Sequence, residues 1–433
     1  MATEQNVSRA FPLVKEVRAY VKQADKASDH GADCHDVDDK HWINGHPLPV
    51  SNPMSMHPQY QAYRKSWGIN AMGSVIVEVE ADDGTTGVGV SIGGEPACYI
   101  VEKHLSRFIE GQDPRNVELI WDQMFRATLN YGRKGLTLQA ISAVDLALWD
   151  LLGKLRNEPV YNLLGGKTKE RLPVYCTTCD PVFAKGAGFV GAKIPCPYGP
   201  SKGDEGLKLN VETFRKARES VGSDFPLMLD CYMSLTVPYT IKLARELKPY
   251  NVKWIEEFLP PDNYSGYLDV YKALAGSVLL TTGEHEYTRY GYLQLLQQRC
   301  VDIIQPDITW MGGITEARKI VEMASAFDVM VIPHGSSVYS YHLQYAFVNC
   351  PLAEYICLSE QGNKIIPYFG SLFLDEPLPH DGYIDLPNRS GFGVTLNKEG
   401  LRRPYQRSPD EVQKQYKANV DAKLVSSVAK MPF

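Results

Sequence analysis

From Leu172 onward, short apolar runs recur along the chain, each followed by a stretch of helical texture. The runs are LPVYCTT (172–178), GFVGAKIP (188–195), PLMLD (226–230), VKWIEE (252–257), VLLTTGE (278–284), VDIIQPD (301–307), VMVIPH (329–334) and AEYICL (353–358). Runs that are continuously apolar, rather than alternating, predict strands buried on both faces, and their alternation with helices predicts parallel crossovers. Eight such units predict an α/β fold closed into a TIM-type barrel. An open doubly wound sheet is the alternative, but no GxGxxG follows an early strand; Gly87-Val-Gly89-Val-Ser-Ile92 breaks that pattern at its last position.

The pattern before the barrel is different. Val14–Val21 reads as a strand, and Ser74–Glu80 and Thr86–Ser91 read as a hairpin turning at Asp82-Asp83-Gly84. Gln139–Arg156 carries a helical pattern, and Pro159–Gly166 closes the region with paired glycines. Residues 22–70 are rich in His, Asp, Pro and Tyr without periodicity, which is expected of a long functional loop or of disorder. After Gly370 the chain becomes turn-rich and is expected to return to the first region. Ser408-Pro409 marks a helix start, and Val412, Tyr416, Val420, Leu424 and Val428 form a stripe expected to pack on this subunit or a neighbour. The expected division is an α+β domain over 1–168, the barrel over 169–368, and a return segment with a terminal helix over 369–433.

Composition narrows the partners. With 22% charged and 44% hydrophobic residues the chain of 433 is ordinary globular material, and a net charge of −6 gives no reason to expect nucleic acid or an anionic membrane. No uninterrupted apolar run approaches membrane-spanning length, and the first residues lack the basic and apolar regions of a signal peptide. Nine scattered cysteines read as reduced thiols in the cytosol. Cys176 and Cys179 match a CxxC spacing, but neither a second ligand pair nor a thioredoxin-like context accompanies them.

The chemistry is carried by what ends the strands. The third predicted strand ends in Asp230 and the fourth in Glu256, while the fifth ends in Glu284. The sixth ends in Asp307 and the seventh in His334. In a parallel barrel, groups at the C-terminal ends of different strands converge on one mouth. Three carboxylates on adjacent strands make an oxygen ligand set suited to Mg²⁺. His334 with Asp307 one strand away reads as a general base held by a carboxylate. Such a pair suits removal of the weakly acidic proton beside a carboxylate, with a divalent cation neutralising the charge that develops. Strand side chains alternate, so only one of Glu256 and Glu257 can face the site, and the other is expected in a structural ion pair.

The strand-end Asp, Glu and Glu, then QPD and IPHG, together with PVYxLLGG and LPNRxGxG, resemble the mandelate-racemase subgroup of the enolase superfamily over nearly the whole chain. Cys34-His35-Asp36, His41-Trp42-Ile43, the stretch from Arg64 to Asn70, and Pro333 to Ser340 bring it nearer to a sugar-acid dehydratase of that subgroup. The resemblance implies an N-terminal α+β capping domain over a (β/α)7β barrel. It implies Asp230, Glu256 and Glu284 as Mg²⁺ ligands, the first Glu of Glu256-Glu257 being the ligand, and His334 as base with Asp307 behind it. Glu354 becomes an acid or hydrogen-bonding partner, and His35 and Arg64 become substrate contacts from the cap. It further implies a cytoplasmic homo-oligomer, an octamer. Many members of the subgroup carry Lys-x-Lys at the end of the second strand; Lys193-Ile-Pro195 keeps only the first. A base on that face is therefore missing, which argues against racemisation and leaves Lys193 to bind the substrate carboxylate. A dehydratase for another sugar acid, a racemising or lactone-forming relative, and a non-catalytic barrel are the alternatives.

Overall fold

The computed structural model describes residues 11–22, 40–60, 72–274 and 276–422. Strands β1 (Val14–Lys22), β2 (Ser74–Ala81) and β3 (Thr86–Ile92) form an antiparallel sheet. The short strand Leu401–Arg402 joins its edge, Val21 pairing with Arg402, so the chain's last part returns to its first. That return is clamped by buried charge. Arg403 Nη1 lies 2.8 Å from Glu16 and Arg407 Nε 3.0 Å from Glu102, and Arg407 also pairs with Glu110. The expected terminal helix runs Pro409–Asp421, capped by Ser408 and Glu411. Among the described residues it fully buries no side chain, yet it packs on this chain with Val412 and Tyr416 half-buried and Gln415 and Asn419 donating to the Arg107 carbonyl at 3.2 and 2.9 Å; Leu424 and Val428 lie outside the described residues.

The helix Leu136–Arg156 lies against β3 and connects this sheet to the barrel. Its most apolar window would suit a membrane by length and composition, yet 94% of that window is buried within the fold. Two glycines permit the close approach: a Cβ on Gly89 would stand 2.0 Å from the Ala143 carbonyl oxygen, and one on Gly87 would stand 2.2 Å from that of Ala147. The Gly-Val-Gly sequence is thus a seat for a helix rather than a nucleotide loop. Gly89→Ala is expected to lower stability by about 1–3 kcal/mol, since backbone on both sides must move apart; an unchanged denaturant midpoint would contradict this.

Eight parallel strands follow: β4 (Leu172–Thr177), β5 (Ala192–Pro195), β6 (Leu227–Asp230), β7 (Val252–Glu256), β8 (Leu279–Thr282), β9 (Ile303–Ile304), β10 (Met330–Val331) and β11 (Ala353–Ile356). They pair in chain order from β4 to β10, and β11 returns to pair with β4, Glu354 opposite Tyr175. The result is a curled parallel sheet whose interior holds Tyr175, Met228, Trp254, Ile303 and Ile332. No ladder joins β10 to β11 among the described residues; Val331 instead donates 2.9 Å to the Asn349 carbonyl in the connection. Ladders in β9 and β10 last only two residues each, shorter than the apolar runs that predict them.

His342 ties this architecture together and makes it sensitive to acid. Its Nδ1 accepts from the Tyr161 N–H (3.2 Å), its Nε2 lies 3.2 Å from the Phe392 carbonyl, and its ring stacks on Tyr161. Burial pushes its pKa down from 6.5 to about 3. A neutral buried histidine contributes fully above its unfolded pKa, and that contribution falls as pH drops from 6.5 toward 3. We expect this group to remove about 1.4 kcal/mol per pH unit inside that window. His342→Gln should be less stable at neutral pH and lack this part of the acid slope; an identical slope in urea melts would exclude the assignment.

Candidate active site

Asp230 and Glu256 are the last residues of β6 and β7, and Glu284 sits just beyond β8. One ligand oxygen from each lies within 4.8 Å of the others, and all three residues are buried. Two observations show that this cluster fits a cation. Glu284 Oε2 is buried without any hydrogen-bond partner, an expensive position for a carboxylate oxygen unless a cation meets it. Burial raises the Glu256 pKa, and Asp230 and Glu354 add to it against the pull of Lys193. The Glu284 pKa is raised by burial too, against the histidines beside it. Crowded, desolvated carboxylates of this kind suit an oxygen-liganded divalent ion such as Mg²⁺.

Backbone strain aims these groups. Tyr232, Met233 and Glu257 adopt left-handed conformations (φ 45°, 60° and 46°) directly after the two strand-end ligands. The Tyr232 N–H donates to Asp230 Oδ1 at 3.1 Å, fixing that carboxylate. Glu257 turns away from Glu256: it accepts from Thr282 Oγ1 (2.6 Å) and the Gly283 N–H (2.8 Å), and faces His285 Nδ1 at 3.2 Å. Glu257 thus makes the ion pair expected of it, and its partner, His285, is a site neighbour the sequence reading left without a role. His285 Nε2 stands 3.8 Å from Glu284.

His334 faces the cluster from the far side. Its Nδ1 is 2.7 Å from Asp307 Oδ2, and its Nε2 is 3.4 Å from Glu284 Oε1. Asp307 is itself held: its Oδ1 accepts from the Thr309 N–H at 2.7 Å and from Ser336 Oγ at 2.9 Å. Burial disfavours the imidazolium, but Glu284, Asp307 and Glu354 outweigh it and push the pKa up to about 10. A divalent cation held by these carboxylates would offset part of that charge and would act to lower the His334 pKa.

Lys193, on β5, is enclosed rather than displayed. Its Nζ pairs with Glu256, lies 2.8 Å from Glu354 and 3.2 Å from Asp230, and 5.9 Å from the centre of the Tyr175 ring. Burial lowers its pKa, but Glu256 and Glu354 dominate and hold it well above the ordinary value. Glu354, on β11, accepts from Thr177 and, at 3.0 Å, from the Gly335 N–H. Burial is outweighed by Lys193 and His334, which keep its pKa low. The structure therefore gathers Asp230, Glu256, Glu284, Asp307, His334, Glu354 and Lys193 at one barrel mouth; His35 and Arg64 lie outside the described residues. Described parts of the loop after β1 do reach this end: Trp42 Nε1 donates 2.8 Å to the Cys357 carbonyl, and Ser51 Oγ lies 2.8 Å from Ser234 Oγ.

A capped parallel barrel with three carboxylates and a His–Asp pair at the strand ends defines an enzyme class that abstracts protons beside carboxylates. The chain belongs to the mandelate racemase / muconate lactonizing enzyme family, matching its N-terminal domain over residues 53–165 and the enolase C-terminal domain-like family over 184–400. An L-rhamnonate dehydratase of Saccharopolyspora erythraea is 54% identical over 87% of this chain and 96% of its own. A rhamnonate dehydratase of Gibberella zeae, solved in complex with Mg, is 49% identical, with a TM-score of 0.87 over 90% of this chain and 96% of that one. A second structure of L-rhamnonate dehydratase from Gibberella zeae gives 46% identity and a TM-score of 0.85, over 94% and 99% of the two chains.

Proposed function

We propose that this chain is a Mg²⁺-dependent hydro-lyase that converts L-rhamnonate to 2-keto-3-deoxy-L-rhamnonate and water. The observation that carries the reading is His334 Nε2 turned toward the carboxylate cluster, 3.4 Å from Glu284, with Nδ1 fixed by Asp307. Relatives at about half identity with that activity supply the substrate.

Asp230, Glu256 and Glu284 would hold the metal, which would neutralise charge gathering on the substrate carboxylate. His334 Nε2 takes the proton from C2, and the imidazolium so formed is stabilised by Asp307. The same ring then gives that proton to the 3-hydroxyl as the C3–O bond breaks, so water leaves and an enol remains. A solvent proton at C3 completes the keto product. Glu354 serves as an acceptor that orients its surroundings: both its oxygens are engaged and its pKa is low, which suits an acid poorly. Lys193 is assigned to the substrate carboxylate, which would have to displace one of the three carboxylates that enclose its ammonium, and Pro195 leaves no second lysine on that face for racemisation. His35 and Arg64 are assigned to substrate binding from the capping domain, Arg by its bidentate fit to carboxylate or hydroxyls.

The reading includes a cytoplasmic homo-octamer and functional units at 1–168, 169–368 and 369–433. A library of aldonic acids, incubated with protein and Mg²⁺ and assayed for 2-keto-3-deoxy products, tests it. L-rhamnonate or a close stereoisomer should give the highest kcat/KM; preference for an unrelated aldonate would move the substrate assignment. Light scattering checks the octamer. Arg64→Ala should lower kcat/KM by roughly 10-fold or more with little change in Tm, since a charged hydrogen bond is worth about 1.5–3 kcal/mol; an unchanged kcat/KM would remove Arg64 from the site.

A further inference from the structure

Beneath the carboxylate cluster lies a buried chain of polar side chains that ends on Glu256. Gln305, just past β9, donates from Nε2 to Glu256 Oε2 at 2.8 Å. Its Oε1 accepts from the hydroxyl of Thr281 on β8. Trp254 adds a second donor to Glu256 Oε2, from Nε1 at 3.0 Å. Glu256, Thr281 and Gln305 are all 0% exposed.

We infer that Gln305 and Thr281 form a relay that positions Glu256 as a metal ligand, an inference that rests on the metal reading above. A primary amide presents a donor on one side and an acceptor on the other. Were the Gln305 amide reversed, its oxygen would face the Glu256 carboxylate, so the donor must point there and the acceptor must point away. The acceptor then needs a donor of its own, and Thr281 is the hydroxyl in place. Each link constrains the next: Thr281 fixes the amide, and the amide fixes the carboxylate plane.

The register shows why these residues meet. Thr281 pairs with Glu256 across β7 and β8, and with Ile303 across β8 and β9. The relay thus spans three neighbouring strands, with Gln305 two residues beyond Ile303. A buried hydroxyl and amide could have been replaced by well-packed apolar groups at little cost to stability, since buried hydrogen bonds barely repay desolvation. Their presence here is explained by direction. Glu256 is pulled toward Lys193 through Oε1, and the donors on Oε2 oppose that pull and keep the carboxylate turned toward Asp230 and Glu284.

The experiment is Mg²⁺ titration by calorimetry of chelator-stripped protein, without substrate, for wild type, Gln305→Leu, Thr281→Val and Thr281→Ser. Near-UV circular dichroism confirms the fold of each. Wild type should bind, and Gln305→Leu should bind roughly 10–100-fold more weakly, the usual effect of losing a group that orients a metal ligand. Thr281→Val should weaken binding in the same direction by a smaller factor. Thr281→Ser keeps the hydroxyl while removing a methyl, so it should restore wild-type affinity where a packing role would not. Should Gln305→Leu fail to fold, the Thr281 pair decides alone. Wild-type affinity in a folded Gln305→Leu, or equal affinities in Thr281→Val and Thr281→Ser, overturns the relay while leaving the metal site intact. Failure of wild type itself to bind Mg²⁺ overturns the metal reading and the relay with it.

Discussion

His334→Asn is expected to abolish dehydration and the exchange of the substrate's C2 proton with solvent deuterium together. Removing a general acid–base group costs about 10²–10⁴-fold, and here one ring serves two steps, so the loss in kcat belongs at the upper end. The geometry leaves few substitutes. Asp230, Glu256 and Glu284 are committed to the cluster, Asp307 is saturated by His334, Thr309 and Ser336, and Lys193 is enclosed by three carboxylates. Asn retains the volume near Asp307 but cannot accept and return a proton. Exchange at the wild-type rate in a folded His334→Asn would show that another residue is the base. Glu354→Gln separates the acid role: a variant that still exchanges the C2 proton but no longer expels water would move that role to Glu354.

The second large effect concerns Glu284. Its Oε2 is buried without a partner, so its charge costs the fold and serves the site. Glu284→Gln removes that charge with almost no change in shape. Its Tm is therefore expected to stay level or rise, while Mg²⁺ affinity falls beyond the roughly 10–100-fold typical of residues that merely orient a ligand. Activity should fall with it. Opposite movements of stability and function would identify Glu284 as a residue held in place for the reaction. Normal turnover by protein confirmed to be metal-free would refute the cation's role in the mechanism.

What the sequence made legible follows from the physics of parallel barrels. A buried strand must be apolar until it emerges, so Asp230 and Glu256 stand out as the polar residues that end β6 and β7. Glu284, Asp307 and His334 were visible for the same reason, although they lie just past the hydrogen-bonded ladders rather than in them. Alternation admits only one of Glu256 and Glu257 to the site and the resemblance selects the first, but the sequence could not name His285 as the partner, because that pairing depends on the left-handed turn at Glu257. Nor could it place Lys193 among three carboxylates, since register across strands is a tertiary quantity. In the sequence Gln305 is legible only as part of the QPD motif, and its contact with Glu256 needs the same register. The spacing of Gly87 and Gly89 breaks a nucleotide-loop pattern; their use is the depth at which a helix sits on β3. The stripe on the terminal helix carries the right periodicity, but periodicity does not say what a face meets: Val412 and Tyr416 are only half-buried, and the helix is tied to this chain by Gln415 and Asn419 donating to the Arg107 carbonyl.

The most direct measurement is NMR of L-rhamnonate in D₂O with the Mg²⁺-loaded protein and with the same protein after chelation. The mechanism requires loss of the C2 proton signal, appearance of 2-keto-3-deoxy-L-rhamnonate with a solvent deuteron at C3, and neither change after chelation. An L-rhamnonate spectrum unaltered by folded, Mg²⁺-loaded protein, or a product that carries the original C2 proton at C3, would contradict it.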